Sequence, residues 1–598
     1  MVLPDGGVRF SVWAPMAKEV SVLLQGGCER TELLEPRGSG VFSSVLAGVP
    51  VGTDYAYRLD QGRFRPDPVS RYRPLGVHGP SRIVDPELFR WSDQGWTGVP
   101  AAELVIYELH IGTFTSVGTF DSAISQLPRV AELGVTAIEI MPVAEFPGGR
   151  NWGYDGASLY APQSTYGGPD GLRRLVDACH RTGLGVILDV VYNHIGPEGN
   201  YLPEFGPYFS DRHSTAWGDG WNLDGPDSVE VRRYLLDNAL YWIMEYHIDG
   251  FRLDAADKII DQSATHLLKE LVLLVKGQAD ALGRHIALIA ESDANHPRFI
   301  EAVDDGGHGL DAQWSDDFHH AVHAALTGER QGTLQDFGGV QPIAKALRDR
   351  FVNDGRYSRY RQRRYGRPAG HLPSNRFVVF VQNHDQVGNR AGGERLSLLV
   401  SPNALRLAAA TLLLSPYVPL LFMGEEYGEL NPFLYFVSHS DLDLVEAVRQ
   451  ARRCELGAFG GTGETPDPQS EDTFVRSTLD WSRLAAPSHR QLRNLYADLI
   501  WLRRTEPALR PGIADVSVSY DEPDRWVRLL LSAPRSLVGA AFNFSSGVTW
   551  VPLSSACDLI LSTDDHQYGG SGGLRMDENG VSMPPLSAAA FRAGTELR

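Results

Sequence analysis

Over residues 1–90, apolar and polar positions alternate in short runs such as VRFSVWAP, EVSVLL, VFSSVLAGV and TDYAYRLD. A period of two with turn residues between the runs predicts strands, and the segment reads as a small β-sandwich. The Pro/Gly/Arg-rich stretch RFRPDPVSRYRPLGVHGP follows as a linker or wrapping loop. Over residues 91–510 the pattern changes to apolar runs that end in polar residues: LVIYELHIGTF, VTAIEIMPV, GVILDVVYNH, GFRLDAAD, IALIAES, GLDAQWSDD, FVVFVQNHDQ and VPLLFMGEE. Amphipathic stretches such as DGLRRLVDACHRTG lie between them, which predicts parallel strands buried on both faces by helices. Eight such units predict a (β/α)8 TIM barrel, closed by a helix with Leu492, Leu495, Tyr496 and Leu499 on one face. Past Pro511 the runs DRWVRLLL, SLVGAAFNF, DLILST and SAAAFRA predict a C-terminal β-sandwich over 511–598. The expected fold class is therefore α/β, a TIM barrel between two β-sandwich domains.

One connection departs from this economy. Ile195 to Ser228, after the third barrel strand, is long and rich in Gly, Pro and aromatic residues. Loops of this length inside a compact domain are usually functional. Its Tyr, Phe and Trp side chains would either stack on sugar faces or form the loop's own small core.

Charge narrows the ligands. With 55 Lys and Arg against 74 Asp and Glu, the formal net charge is −19, which argues against nucleic acid or an anionic membrane. No apolar run approaches the ~20 residues of a membrane span, and MVLPDGGVRF does not read as a signal peptide. Cys28, Cys179, Cys454 and Cys557 are far apart and form no CxxC pair, so neither a disulfide framework nor a zinc site is expected and a reducing cytoplasm fits. Cys179 shares helical spacing with Leu172, Leu175 and Val176 and is expected in the core. The expected assembly is a monomer.

In a TIM barrel the site lies at the strands' C-terminal ends, where Asp254, Glu291 and Asp385 follow the fourth, fifth and seventh apolar runs. Three neighbouring carboxylates cannot all ionise without compensation, so their pKa values should separate. One protonated acid beside one ionised carboxylate suits glycosidic bond cleavage. Arg252, two residues before Asp254, shares its face and would hold that carboxylate ionised, while His194 and His384 would donate to sugar hydroxyls. Taken singly, each has a structural alternative as a helix cap, ion-pair partner or core residue. A catalytic metal is not expected, because YELHIG offers only His110 where barrel metallohydrolases usually carry an HxH pair.

Four motifs, DVVYNH (Asp189–His194), GFRLDAAD (Gly250–Asp257), AES (Ala290–Ser292) and QNHD (Gln382–Asp385), occur in the order of the α-amylase superfamily of retaining glycosidases and transglycosidases, which the chain resembles. The resemblance implies Asp254 as nucleophile, Glu291 as general acid/base and Asp385 as transition-state stabiliser. It implies Arg252, His194 and His384 as supporting sugar contacts, and Tyr154 of NWGYDG as the aromatic that stacks on the cleaved glucose. Asn193 matches a calcium ligand of many amylases, but no acidic set accompanies it, so neither calcium nor any cofactor is expected.

The N-terminal sandwich is similar to that of branching enzymes, isoamylases and trehalose-releasing hydrolases. LDAQWSDDFHHAVHAALTGE and LLFMGEEYGELNPFLYFVSH resemble the last of these. That resemblance implies hydrolysis of the α-1,4 bond next to the terminal trehalose unit of a maltooligosaccharide, with related α-1,4-glucans as ligands and free trehalose as product. Where amylases often carry Lys-His, this chain has Asp257-Lys258. These two residues, with Trp314, Asp316, Asp317 and Gln386 at the barrel mouth, are expected to bind the leaving trehalose. Asp316 and Asp317 would alternatively cap the helix they open. A retaining mechanism requires the working carboxyls ~5–5.5 Å apart. The alternatives are a glycan branching enzyme and a non-catalytic glycan-binding protein on an amylase-like fold.

Overall fold

The computed structural model describes residues 1–598 except 27–28, 216, 459–465, 554–556 and 594–598; Cys28 thus lies outside the described residues. Barrel strands 1 to 8 are Ile106–Leu109, Ala137–Ile140, Gly185–Val190, Gly250–Leu253, Ala287–Ala290, Ala312–Trp314, Phe377–Val379 and Val418–Phe422. They are parallel and close in sequence order, strand 8 pairing with strand 1. These are the eight predicted runs. Each is buried on both faces, which is why it reads as continuous apolar sequence rather than as alternation. Inside the barrel, Ile106, Ile187, Ile289, Val378 and Leu420 fill the lower level. Above them strands 1 to 4 turn polar, with Glu108, Glu139, Asp189 and Arg252 all buried. The helix Pro487–Thr505 packs with Leu492, Leu495, Tyr496 and Leu499 inward, as their spacing predicts, and Cys179 is fully buried.

Two antiparallel sheets form the N-terminal sandwich, one built on Val8–Trp13 with Val41–Leu46 and the other on Val20–Gln25 with Asp54–Leu59. The C-terminal region is likewise two sheets, joined through Ala541, Val551, Val581, Met583 and Phe591.

Between the first sandwich and strand 1 the chain straps the N-terminal end of the barrel. Trp91 stacks on His247 at 3.8 Å and Trp96 on His180 at 4.7 Å. Asp93 pairs with both imidazoles, at 2.8 Å from His180 and 2.7 Å from His247. His180 reaches Asp249 with its other nitrogen at 2.9 Å.

The loop after strand 3 is an ordered subdomain rather than a bare connection. It contains a short helix, Leu202–Phe205, and a hairpin, Phe209–Thr215 with Gly218–Trp221. Phe205, Tyr208 and Trp221 are buried, and Tyr208 and Trp221 pack against Tyr234. For these aromatics the alternative of a small local core holds. Trp217 at the hairpin tip is different: it is half exposed and stacks on His194 at 4.8 Å.

Candidate active site

Asp254 follows strand 4 directly, and the chain then turns through Ala255, whose φ of 39° is left-handed and unusual for a residue with a Cβ. The turn aims the Ala255 N–H at Glu291 Oε2, 2.5 Å away. Strand 5 ends at Ala290, so Glu291 stands beside Asp254 at the rim. Between them lies the Arg252 guanidinium, wholly buried. Its Nη1 donates to Asp254 Oδ1 at 2.8 Å and to both oxygens of Asp189 at 2.9 Å, while Nη2 lies 3.6 Å from Glu291 Oε2. One cation thus serves three carboxyls. Burial raises the Glu291 carboxyl well above its ordinary range; Asp254, Asp385 and Asp316 add to this and Arg252 only partly opposes it. Asn193 Nδ2 donates to Asp254 Oδ2 at 2.6 Å and fixes the second oxygen, so the Asn193 amide is engaged with Asp254.

A chain of polar groups runs across the barrel from Arg252. Tyr154 Oη donates to Asp189 Oδ2 at 2.7 Å and lies 2.7 Å from His384 Nε2, and His384 Nδ1 lies 2.5 Å from Glu108 Oε1. Glu108 also accepts the His384 backbone N–H. Burial alone would lower the His384 pKa, but Asp385 and then Glu108 raise it to about 9. A protonated His384 donates through both nitrogens, and Asp385 Oδ1 lies 3.5 Å from Nε2. Burial pushes Asp189 up to about 6 against the pull of Arg252.

Several expected sugar contacts sit elsewhere. Trp314 lies inside the barrel, fully buried, with its ring 4.6 Å from the Arg252 guanidinium carbon. It packs in the barrel-interior cluster against Arg252 and is not exposed at the barrel mouth, the expected position. Asp317 is buried too. Its Oδ2 accepts from Asn295 Nδ2 at 2.8 Å and from the backbone N–H groups of Val352 and Asn353 at 2.7 Å each. It ties two loops together and has no free acceptor facing the cleft. Neither Asp316 nor Asp317 caps the helix Asp316–Thr327, whose N-cap is Ser315. Asp316 stands at the mouth, where burial, then Asp293 and Asp385, raise its carboxyl to about 7. His384 is buried with both nitrogens engaged, so it acts on Tyr154 and Asp385 rather than on solvent-side hydroxyls. His194 contacts the Tyr154 carbonyl at 3.0 Å and Asn193 Oδ1 under the Trp217 ring. Asp257 and Lys258 pair with each other at 2.5 Å on the rim, and Gln386 is half buried in the short helix His384–Gly388.

Sequence reasoning missed Glu108, Asp189 and the rim pair Asp293 with Arg361 (2.7 Å) and Tyr365 (2.8 Å to the Asp293 carbonyl). Glu108 was open to detection. An acid inside an apolar strand, as in YELH, asks for a buried partner.

The described residues contain no group of three or more His, Cys, Asp or Glu arranged to hold a metal. Residues 85–216 match the family model for the alpha amylase catalytic domain, and residues 1–73 match carbohydrate-binding module 48, the isoamylase N-terminal domain. The chain is 49% identical to malto-oligosyltrehalose trehalohydrolase of Saccharolobus solfataricus over 84% of this chain and 86% of that one. It is 46% identical to the protein of the same name from a Rhizobium species, covering 98% of both. A crystal structure of a Salmonella typhimurium protein, provisionally assigned as an alpha amylase, superposes with a TM-score of 0.88 at 39% identity, covering 98% of both chains. With the four motifs in order along a closed barrel and relatives alike over nearly the whole length, the chain belongs to the malto-oligosyltrehalose trehalohydrolases of the α-amylase superfamily.

Proposed function

We propose that the protein hydrolyses the α-1,4 bond next to the terminal trehalose unit of malto-oligosyltrehalose and releases free trehalose, by a retaining double displacement. The observation that carries the chemistry is the single guanidinium of Arg252 between Asp254 and Glu291, the latter a carboxyl that burial raises well above its ordinary range. Asp254 attacks the anomeric carbon while Glu291 gives its proton to the leaving oxygen of trehalose. The C1–O bond breaks and a glycosyl–Asp254 ester forms. Glu291, now a carboxylate, takes a proton from water, whose oxygen displaces Asp254 from C1 and leaves the α configuration unchanged. Asp385, beside a cationic His384, binds ring hydroxyls and gains strength as the ring distorts. Tyr154 packs against the glucose being cleaved. On the leaving-group side we place Asp257, Lys258, Asp316 and Gln386, whose dense polar rim suits a bent, non-reducing disaccharide. Such a reaction serves trehalose formation from α-glucans. We assign it to the cytoplasm: Cys179, Cys454 and Cys557 are free thiols, which fits a reducing compartment, and among the described residues no helix is long and apolar enough to cross a membrane.

The test is incubation with malto-oligosyltrehalose and, separately, with amylose. Free trehalose and an initially α-anomeric maltooligosaccharide are expected from the first substrate. New α-1,6 branches on amylose would establish the branching alternative instead, and no turnover of either would establish a glycan-binding protein.

A further inference from the structure

The N-terminal domain meets the barrel helices through residues 68–73, where Arg71 pairs with Glu245 at 2.6 Å, and it also packs on the subdomain after strand 3, where the contacts follow in series along the loop. Gly199 is pressed against Val77 so closely that a Cβ would lie 2.4 Å from the Val77 Cβ. Tyr201 Oη lies 2.6 Å from His78 Nδ1, and its ring lies 4.2 Å from the Arg65 guanidinium carbon. Arg65 pairs with both oxygens of Glu204, at 2.9 and 2.7 Å. Gly206 leaves room for the Trp13 ring, which meets Tyr208 edge-on at 5.3 Å. Trp13 is an aromatic that a glycan-capture module would present to solvent. Here it faces the loop.

The same loop ties to the cleft at two further points. Glu198, buried, accepts from His78, from His439 at 3.1 Å, and from the Ser440 backbone and hydroxyl. It therefore joins the sandwich to the loops after strands 3 and 8. At the far end of the loop, Trp217 lies over His194, itself fastened to the carbonyl of Tyr154.

We propose that the N-terminal sandwich is a positioning element of the active site: through Trp13, Arg65 and His78 it holds loop 195–228, and with it the His194 side of the cleft, in place. Arg65 and His78 are thus positioning residues that act through Glu204, Tyr201 and Glu198, and the module's contribution is packing within its own chain rather than capture of a separate glucan. The inference rests on the cleft being the site of trehalose release.

Charge exchange across one contact tests it. Arg65→Glu and Glu204→Arg, each alone, are expected to lower hydrogen-exchange protection in residues 195–228 and to raise KM about fivefold or more with little change in kcat, as a misplaced binding wall does. The double variant restores the pair with its charges reversed, and is expected to recover both readings to within about twofold, since the contact and not either residue is what matters. Unchanged protection and KM in the single variants overturns the proposal. So does lost protection with unchanged KM, and so does failure of the double variant to recover. If the unaltered chain releases no trehalose, the substrate reading fails instead, and the exchange measurements still decide whether the module holds the loop.

Discussion

Glu139 shows how much a single buried residue constrains the site. It lies on strand 2 beside Glu108 of strand 1, is 1% exposed, and neither of its carboxyl oxygens has a hydrogen-bond partner among the described residues. Burial raises its pKa far above the ordinary value, and Glu108 and Asp189 raise it further, against Arg252 and His384. An unpaired carboxylate there would cost several kcal/mol, so the neutral acid is the expected form of Glu139, and Arg252 stays paired with Asp189 and Asp254 and His384 with Glu108. Glu139→Gln, which is neutral and of the same shape, is accordingly expected to keep kcat/KM within about threefold and to leave the midpoints of its pH profile in place. An ionised Glu139 would instead give a shift of about one unit on removal, which a pH–rate series detects. Asp317 leads to a different expectation. Asp317→Asn breaks a three-donor acceptor and should cost about 1–3 kcal/mol in denaturant unfolding, with equal loss on trehalose-capped and plain maltooligosaccharides. Asp316→Asn should spare stability and weaken turnover of the trehalose-capped substrate more. The sequence placed both residues at the barrel mouth correctly as positions. It did not resolve which way their side chains turn, because that depends on where Val352 and Asn353 come to lie.

At the scale of elements, the barrel strands and the closing helix were legible because burial on two faces and on one stripe leaves a direct mark on residue order. Asp254, Glu291 and Asp385 were legible as a set because a TIM barrel gathers strand ends, whatever lies between them in sequence. The core of loop 195–228 was not, since its aromatics bury against Tyr234 of the following helix without any periodic spacing. The strap beneath the barrel was equally hidden, and it carries a pH signature. Burial would lower the His180 pKa, but its bonds to Asp249 and Asp93 raise it above 6.5. Burial would raise Asp93, but bonds from His180 and then His247 pull it well below 3.8. The histidine's stabilisation is thus complete below 6.5 and fades as pH rises through its elevated folded value, whereas that of Asp93 is present above 3.8 and fades as pH falls. Asp93→Asn is expected to lower Tm more at about pH 6 than at about pH 9, flattening the alkaline slope of Tm against pH in a calorimetric series.

For the whole molecule, the closed barrel makes the site a product of the entire central chain. Glu108 and His384 bond across 276 residues of sequence, and Tyr154, Asp189 and Arg252 complete the same chain of groups from three more barrel segments. No partial chain can hold it. Until strand 8 has been made and has found strand 1, both carry open hydrogen-bonding edges, the kind of surface on which growing or refolding chains stick to one another. During refolding from denaturant, secondary structure seen by circular dichroism should return first, and trehalose release should return only with the slowest phase, since pairings this distant in sequence form late. A single long-range ion pair of the active centre thus also acts as a checkpoint on synthesis: the enzyme has no activity to leak before its barrel is shut.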